Sequence, residues 1–105
     1  MDGELRQMSV TKQTNGGEAV VRGLVDHGVE TVFGIPGAHN LALYEALRCD
    51  GRIRHILARH EQGAAFIADV YGRLTGKPGV CLGTLGPGAS NLLTGVADAD
   101  MDRSP

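Results

Sequence analysis

The sequence contains no tryptophan and only two tyrosines and two phenylalanines, so its core must be packed mainly from aliphatic side chains. No apolar run approaches the roughly 20 residues that a membrane-spanning helix needs, and no membrane association is expected. A formal net charge of −2 leaves no basic footprint, which argues against nucleic acid as a partner. The two cysteines, Cys49 and Cys81, form no CxxC pair and have no histidine at ligand spacing. Reduced, mostly buried thiols in a cytoplasmic protein are the expectation. His27, His39, His55 and His60 are scattered, without HExxH or any paired-ligand spacing, so no metal site is expected. Asp98, Asp100 and Asp102 open like a calcium loop, but its required glycine is missing and a solvated helix end accounts for them better.

Glycine is what the chain has in excess, with 16 in 105 residues against a usual share of about 7%. Most stand where a strand hands over to a helix, which points to turns and close backbone approach and not to a linker. The length suits one small domain. Residues 1–13 are polar, lack a signal-peptide core and read as a leader.

From Asn15 onward the periodicity becomes helical, with Ala19, Val20, Leu24 and Val25 at three- and four-residue spacing. Thr14 or Asn15 can cap its start, and Gly28 can end it. Thr31–Gly34 reads as a strand, Leu41–Arg48 as a helix with Leu43 and Leu47 on one side, and Arg52–Leu57 as a second strand. A third helix is expected over Glu61–Thr75, a third strand over Gly79–Thr84 and a fourth helix from about Ala89 to Met101. This alternation predicts an α/β fold, a three-layer αβα arrangement on a parallel sheet. Three strands make a short sheet for helices on both faces, so residues 14–105 are expected to be an incomplete domain.

Open parallel sheets bind ligands beyond the carboxyl ends of their strands. Three segments reach that edge: Gly34-Ile35-Pro36-Gly37, Arg59-His60-Glu61-Gln62 and Gly86-Pro87-Gly88-Ala89-Ser90-Asn91. Glu61 is the one acidic residue among them. Taken alone it reads as a helix N-terminal residue favourably placed against the dipole. Gly86-Pro87-Gly88 is neither GxGxxG nor a P-loop, which would carry Lys-Ser/Thr. His60 can be read as a proton shuttle beside Glu61, or as a histidine at the surface or just behind the site. On the third helix, Glu61, Ala64, Ala65, Ala68 and Gly72 form a face of small residues suited to close approach by the sheet or by a partner subunit. Phe66, Ile67, Val70, Tyr71 and Leu74 form a bulky side.

Four motifs in order carry a family resemblance: Phe33-Gly34-Ile35-Pro36-Gly37; Arg59-His60-Glu61-Gln62-Gly63-Ala64-Ala65 with Tyr71-Gly72-Arg73; Gly76-Lys77-Pro78-Gly79-Val80; and Gly86-Pro87-Gly88-Ala89-Ser90-Asn91. Together they resemble the flavodoxin-like, N-terminal pyrimidine-binding domain of thiamine diphosphate enzymes, nearest to the acetolactate synthase group. The resemblance covers roughly Asn15 to Pro105.

That resemblance implies thiamine diphosphate as cofactor. It gives Glu61 a catalytic role, hydrogen-bonded to N1′ of the coenzyme's aminopyrimidine so that the 4′-nitrogen can take the C2 proton. Shielding would raise the proton affinity of such a carboxylate, whereas a helix N-terminus would lower it; the sequence leaves that balance open. Ile35, Pro36, Gly37, Pro87 and Asn91 are implied as further coenzyme contacts. Leu85 departs from the small hydroxyl residue common at its position, and Asp100 from an aromatic one. Mg²⁺ is implied only through a diphosphate-binding domain that these residues do not contain, and FAD is admitted in a full-length relative. The implied enzyme acts on a small 2-oxo acid by decarboxylation and carboligation, as a homodimer or homotetramer whose sites lie between subunits. The 105 residues alone are expected to be inactive. The alternatives are a 2-oxo acid decarboxylase and a non-catalytic binding module.

Overall fold

A computed structural model describes residues 14–105; the leader expected over residues 1–13 lies outside them. Strands β1 (Thr31–Gly34), β2 (Arg54–Leu57) and β3 (Val80–Leu82) form one sheet. All pairings are parallel, in the order β2-β1-β3, with Phe33 opposite both Ile56 and Cys81. Helices α1 (Gly16–Asp26), α2 (Leu41–Asp50), α3 (Glu61–Thr75) and α4 (Leu85–Met101) alternate with the strands, and a short 3₁₀ turn, Ala38–Asn40, leads into α2. The expected three-layer α/β architecture is therefore present.

Alternation along the central strand sets the layers, because successive side chains point to opposite faces of a sheet. Val32 turns to one side, where it packs with Val21, Ala46, Leu47 and Ile53 beneath α1 and α2. Phe33 turns to the other and meets Ala64 and Ala68 of α3, with Ile56, Tyr71 and Cys81 around them. The Phe33 and Tyr71 rings meet edge to face, 5.7 Å between centroids. Helix α4 lies alongside α3, where an ideal Cβ on Gly95 would stand 2.4 Å from the Ala65 Cβ. The small face of α3 is thus taken up by the domain's own sheet and α4.

Capping explains the helix ends. Asn15 is the N-cap of α1, and its Oδ1 accepts from Glu18 N at 2.9 Å. At the other end Gly28 N donates to Val25 O and Val29 N to Leu24 O, around a Gly28 φ of 79°. This pair of bonds is the Schellman closure that a left-handed glycine permits. The apolar stripe of α1 is offset from the expected one: Val21 is buried, while Ala19 and Val20 are exposed. The face that meets α2 starts at Gly17, where an ideal Cβ would lie 2.6 Å from Ala42 O.

Two strand boundaries move inward. Strand β2 begins at Arg54 because Arg52 folds back on Asp50, its guanidinium 2.7 and 2.8 Å from the carboxylate oxygens. Strand β3 spans only Val80–Leu82, and Gly79 N donates to Pro105 O at 3.2 Å instead.

The larger correction is α4, which starts at Leu85 and not near Ala89. Gly88 N donates to Thr84 O at 3.1 Å, the first rung of the helix. Residues of a first turn have no intrahelical acceptor for their N–H groups, so Pro87 loses no bond there. Gly-Pro-Gly reads as a loop in sequence, yet it is that first turn. Leu85 enters it at a φ of 56°, a left-handed conformation that costs an L-residue roughly 1–2 kcal/mol. Its side chain is 58% exposed, so replacing it sacrifices little burial. Leu85→Gly should stabilise the domain by about 0.5 kcal/mol, the relieved strain less the added freedom of glycine in the unfolded chain, read as an upward shift of the urea midpoint; a lower midpoint would count against strain at this residue.

Asp98, in the last turn of α4, and Asp102, just after it, are more than a solvated end. Arg73 binds Asp69 through Nε at 2.9 Å and also reaches Asp102 at 2.6 Å and Asp98 at 3.6 Å. The guanidinium holds the Asp69 carboxyl below its usual range, helped by Ser104. Asp69 is buried, and removing Arg73 would leave its charge inside without a partner. The thiols also differ from expectation: Cys49 is exposed and Cys81 half-buried. Burial pushes the Cys81 thiol up, and a hydrogen bond to Glu45 does so for Cys49.

Candidate functional site

Parallel pairing puts the ends of all three strands on one edge, so the segments after Gly34, Leu57 and Leu82 face the same side. Glu61 is the first residue of α3. Its cap is His60, whose Nδ1 lies 3.0 Å from Gln62 N and accepts its proton. An acceptor Nδ1 puts the ring proton on Nε2. His60 is exposed, which agrees with the surface reading, and it also caps α3.

Asn91, two turns into α4, donates from Nδ2 to Glu61 Oε1 at 3.1 Å. The other carboxylate oxygen, Oε2, lies 3.5 Å from where a Cβ on Gly88 would be. Glu61, Gly88 and Asn91 are therefore brought together. Pro87 is exposed and shares with Asn91 one side of α4, four residues apart. Its carbonyl accepts from Ser90 Oγ at 3.1 Å, and no bond joins it to Glu61.

The segment after β1, the central strand, meets the residues that follow β3. Gly37 N donates to Asn40 Oδ1 at 2.8 Å, and Asn40 Nδ2 to Ile35 O at 3.4 Å. These bonds hold Ile35-Pro36-Gly37 as a compact turn, with Pro36 exposed and Ile35 half-buried. An ideal Cβ on Gly37 would stand 2.3 Å from Thr84 Cγ2. Residue 37 thus has to be small for the β1 and β3 loops to touch. Thr84 was not singled out in the sequence. Its Oγ1 is buried and, among the described residues, has no hydrogen-bond partner. Its signal was its place at the carboxyl end of the third strand.

The balance left open at Glu61 is resolved for this chain. Its own backbone N–H and the Asn91 amide lower its proton affinity, desolvation opposes them, and the net shift is downward. Unpaired N–H groups of a helix's first turn favour an anion. The carboxylate is accordingly ionised near neutral pH. Among the described residues, no group of three or more His, Cys, Asp or Glu side chains could hold a metal ion, and no helix is long and apolar enough to cross a membrane.

Comparison with known proteins matches residues 14–105 to the family described as thiamine pyrophosphate enzyme, N-terminal TPP binding domain. The chain belongs to that family. Among similar curated proteins is the Probable 2-ketoarginine decarboxylase AruI of Pseudomonas aeruginosa, 52% identical over 98 residues, 93% of this chain and 17% of that protein. The acetolactate synthase isozyme 2 large subunit of Escherichia coli is 55% identical over 91 residues, 87% of this chain and 16% of the relative. The acetolactate synthase large subunit of Buchnera aphidicola is 54% identical over 91 residues, again 87% and 16%. The chain thus spans less than a fifth of the length of each of these relatives. The resemblance read from the four motifs is that of the family found.

Proposed function

We propose that this domain supplies the pyrimidine-binding half of a thiamine diphosphate enzyme acting on small 2-oxo acids by decarboxylation followed by carboligation. The observation that carries the reading is the half-buried Glu61 carboxylate at the head of α3, fixed by the Asn91 amide. The residues fit the group: an aminopyrimidine needs an acceptor for a ring nitrogen and donors or acceptors nearby, and Thr84 Oγ1 is a buried polar atom without a partner among the described residues. When bound, the coenzyme supplies an electron sink for the bond-breaking at the 2-oxo acid.

Glu61 holds or releases a proton at the N1′ position. On this reading Ile35, Pro36 and Gly37 would contact the coenzyme from the segment after β1, and Pro87 and Asn91 would line the site from α4. Mg²⁺ belongs to a diphosphate-binding domain supplied from outside residues 14–105, and FAD to a full-length protein. A cytoplasmic location and a homodimer or homotetramer complete the proposal. Exposed Ile67, Val70 and Leu74 on α3, with Leu93 and Val96 on α4, support assembly, because contiguous exposed apolar surface marks interaction sites.

The second reading, a decarboxylase of a larger 2-oxo acid, draws on the likeness to the protein named as a 2-ketoarginine decarboxylase. Product analysis separates the two. The full-length protein carrying this domain, given pyruvate, thiamine diphosphate and Mg²⁺, should form acetolactate. Aldehyde without acetolactate would support the decarboxylase, and no coenzyme-dependent turnover of any 2-oxo acid would sink both.

A further inference from the structure

Glu61 has two oxygens, and their surroundings differ. Oε1 receives the Asn91 amide at 3.1 Å across 30 residues of sequence. Oε2 lies beside the backbone of Gly88, which is buried. Residues three apart on α4 lie on neighbouring positions of one face, so the turn that presents the Asn91 donor also sets Gly88 beside the carboxylate. We propose that Asn91 is a positioning residue: by tying Oε1 across α3 and α4 it fixes the orientation in which the Glu61 carboxylate meets a ring-nitrogen heterocycle. This rests on the reading of Glu61 as the pyrimidine contact, and it moves Asn91 from touching the coenzyme to acting through the carboxylate.

The energetic sense is clear. A free glutamate at a helix end samples several rotamers, and freezing them is an entropic cost of binding. A charge-assisted hydrogen bond to one oxygen meets that cost before the ligand arrives. Because the bond favours the ionised form, it also lowers the proton affinity of Glu61, acting with that residue's own backbone N–H. His60, the residue before it, is the other titratable group acting on the carboxylate.

The test needs no coenzyme, so it can fail separately from the proposed function. The Glu61 side-chain carboxyl is followed by carbon NMR through an acid titration of the 105-residue chain. In the unsubstituted chain, an Asn91 side-chain amide proton should move with the same midpoint as Glu61. Asn91→Leu, which removes the donor, should raise the Glu61 midpoint, and Asn91→Asp, which adds a like charge, should raise it further. An Asn91 amide that ignores the Glu61 titration would overturn the proposal without any variant. An unchanged Glu61 midpoint in folded Asn91→Leu would overturn it as well.

Discussion

Replacing Glu61 with glutamine in the full-length protein should slow proton exchange at C2 of bound thiamine diphosphate by about 100-fold or more, the range in which positioned acid–base groups act. The substitution is chosen for what it preserves. A glutamine carbonyl can still accept from Asn91, so the tie that orients the side chain at 3.1 Å survives. The changed end is the other one, where an acceptor oxygen becomes an N–H donor that cannot take a proton from a ring nitrogen. Helix α3 should persist, since its cap is made by His60 and not by Glu61. Exchange is read by NMR after rapid acid quench. Exchange at the unsubstituted rate would show that Glu61 is not in the proton path.

The depressed proton affinity of Glu61 bears on that role. A carboxylate that resists protonation relays protons poorly, because efficient transfer needs matched affinities. In the chain by itself, water still reaches the half-exposed carboxylate, and the N–H groups and Asn91 prevail over desolvation. Covering the carboxylate with a ring and a facing domain removes that water while the donors stay fixed. Desolvation then grows against constant opposing terms, so the affinity moves upward when the site is filled. On the proposed function, Glu61 would stay charged while the site is open and become easier to protonate once a bound ring covers it.

Much of this site was legible in the sequence because glycine marks the points where strands hand over to helices. Helix α3 runs over the expected Glu61–Thr75, closed by Gly76 at a φ of 72°. Strand β1 also has its expected limits. Local pattern failed where local chemistry was ambiguous. Gly86-Pro87-Gly88 has the composition of a loop, and only the Gly88–Thr84 bond makes it a first helical turn. The offset of the α1 stripe had the same origin, since Gly17 has no side chain to register in an apolar pattern yet belongs to the buried face. Pairings across the chain were out of reach. Arg73 meets Asp102 from 29 residues away, and Asn91 meets Glu61 from 30. Spacing along a sequence carries no information about such distances. Family resemblance had placed Glu61 and Asn91 near one coenzyme, but not their bond to each other.

A single methyl group at Gly79 should destabilise the domain by about 3 kcal/mol, the upper end of the usual cost of overpacking. An ideal Cβ there would lie 1.9 Å from Ala68 O and 2.6 Å from Ala68 C. Both belong to the backbone of α3, so no rotamer change can relieve the clash. Either β3 or α3 must withdraw, and Ala64 and Ala68 would lift from Phe33 and Cys81. Small domains have little stability to lose, typically about 5–15 kcal/mol in total. Urea unfolding of Gly79→Ala should show a much lower midpoint with an unchanged slope. The control is the same chemical change sixteen residues earlier: at Gly63, inside α3, nothing lies within 4 Å of the added carbon. Gly63→Ala should gain about 0.5–1 kcal/mol from reduced freedom of the unfolded chain. Opposite signs would separate close approach from glycine's conformational cost. Equal effects, or an unmoved midpoint for Gly79→Ala, would mean that α3 does not sit against the start of β3 as closely as its row of small side chains allows. The position of Glu61 depends on that contact, because the carboxylate stands at the head of the same helix.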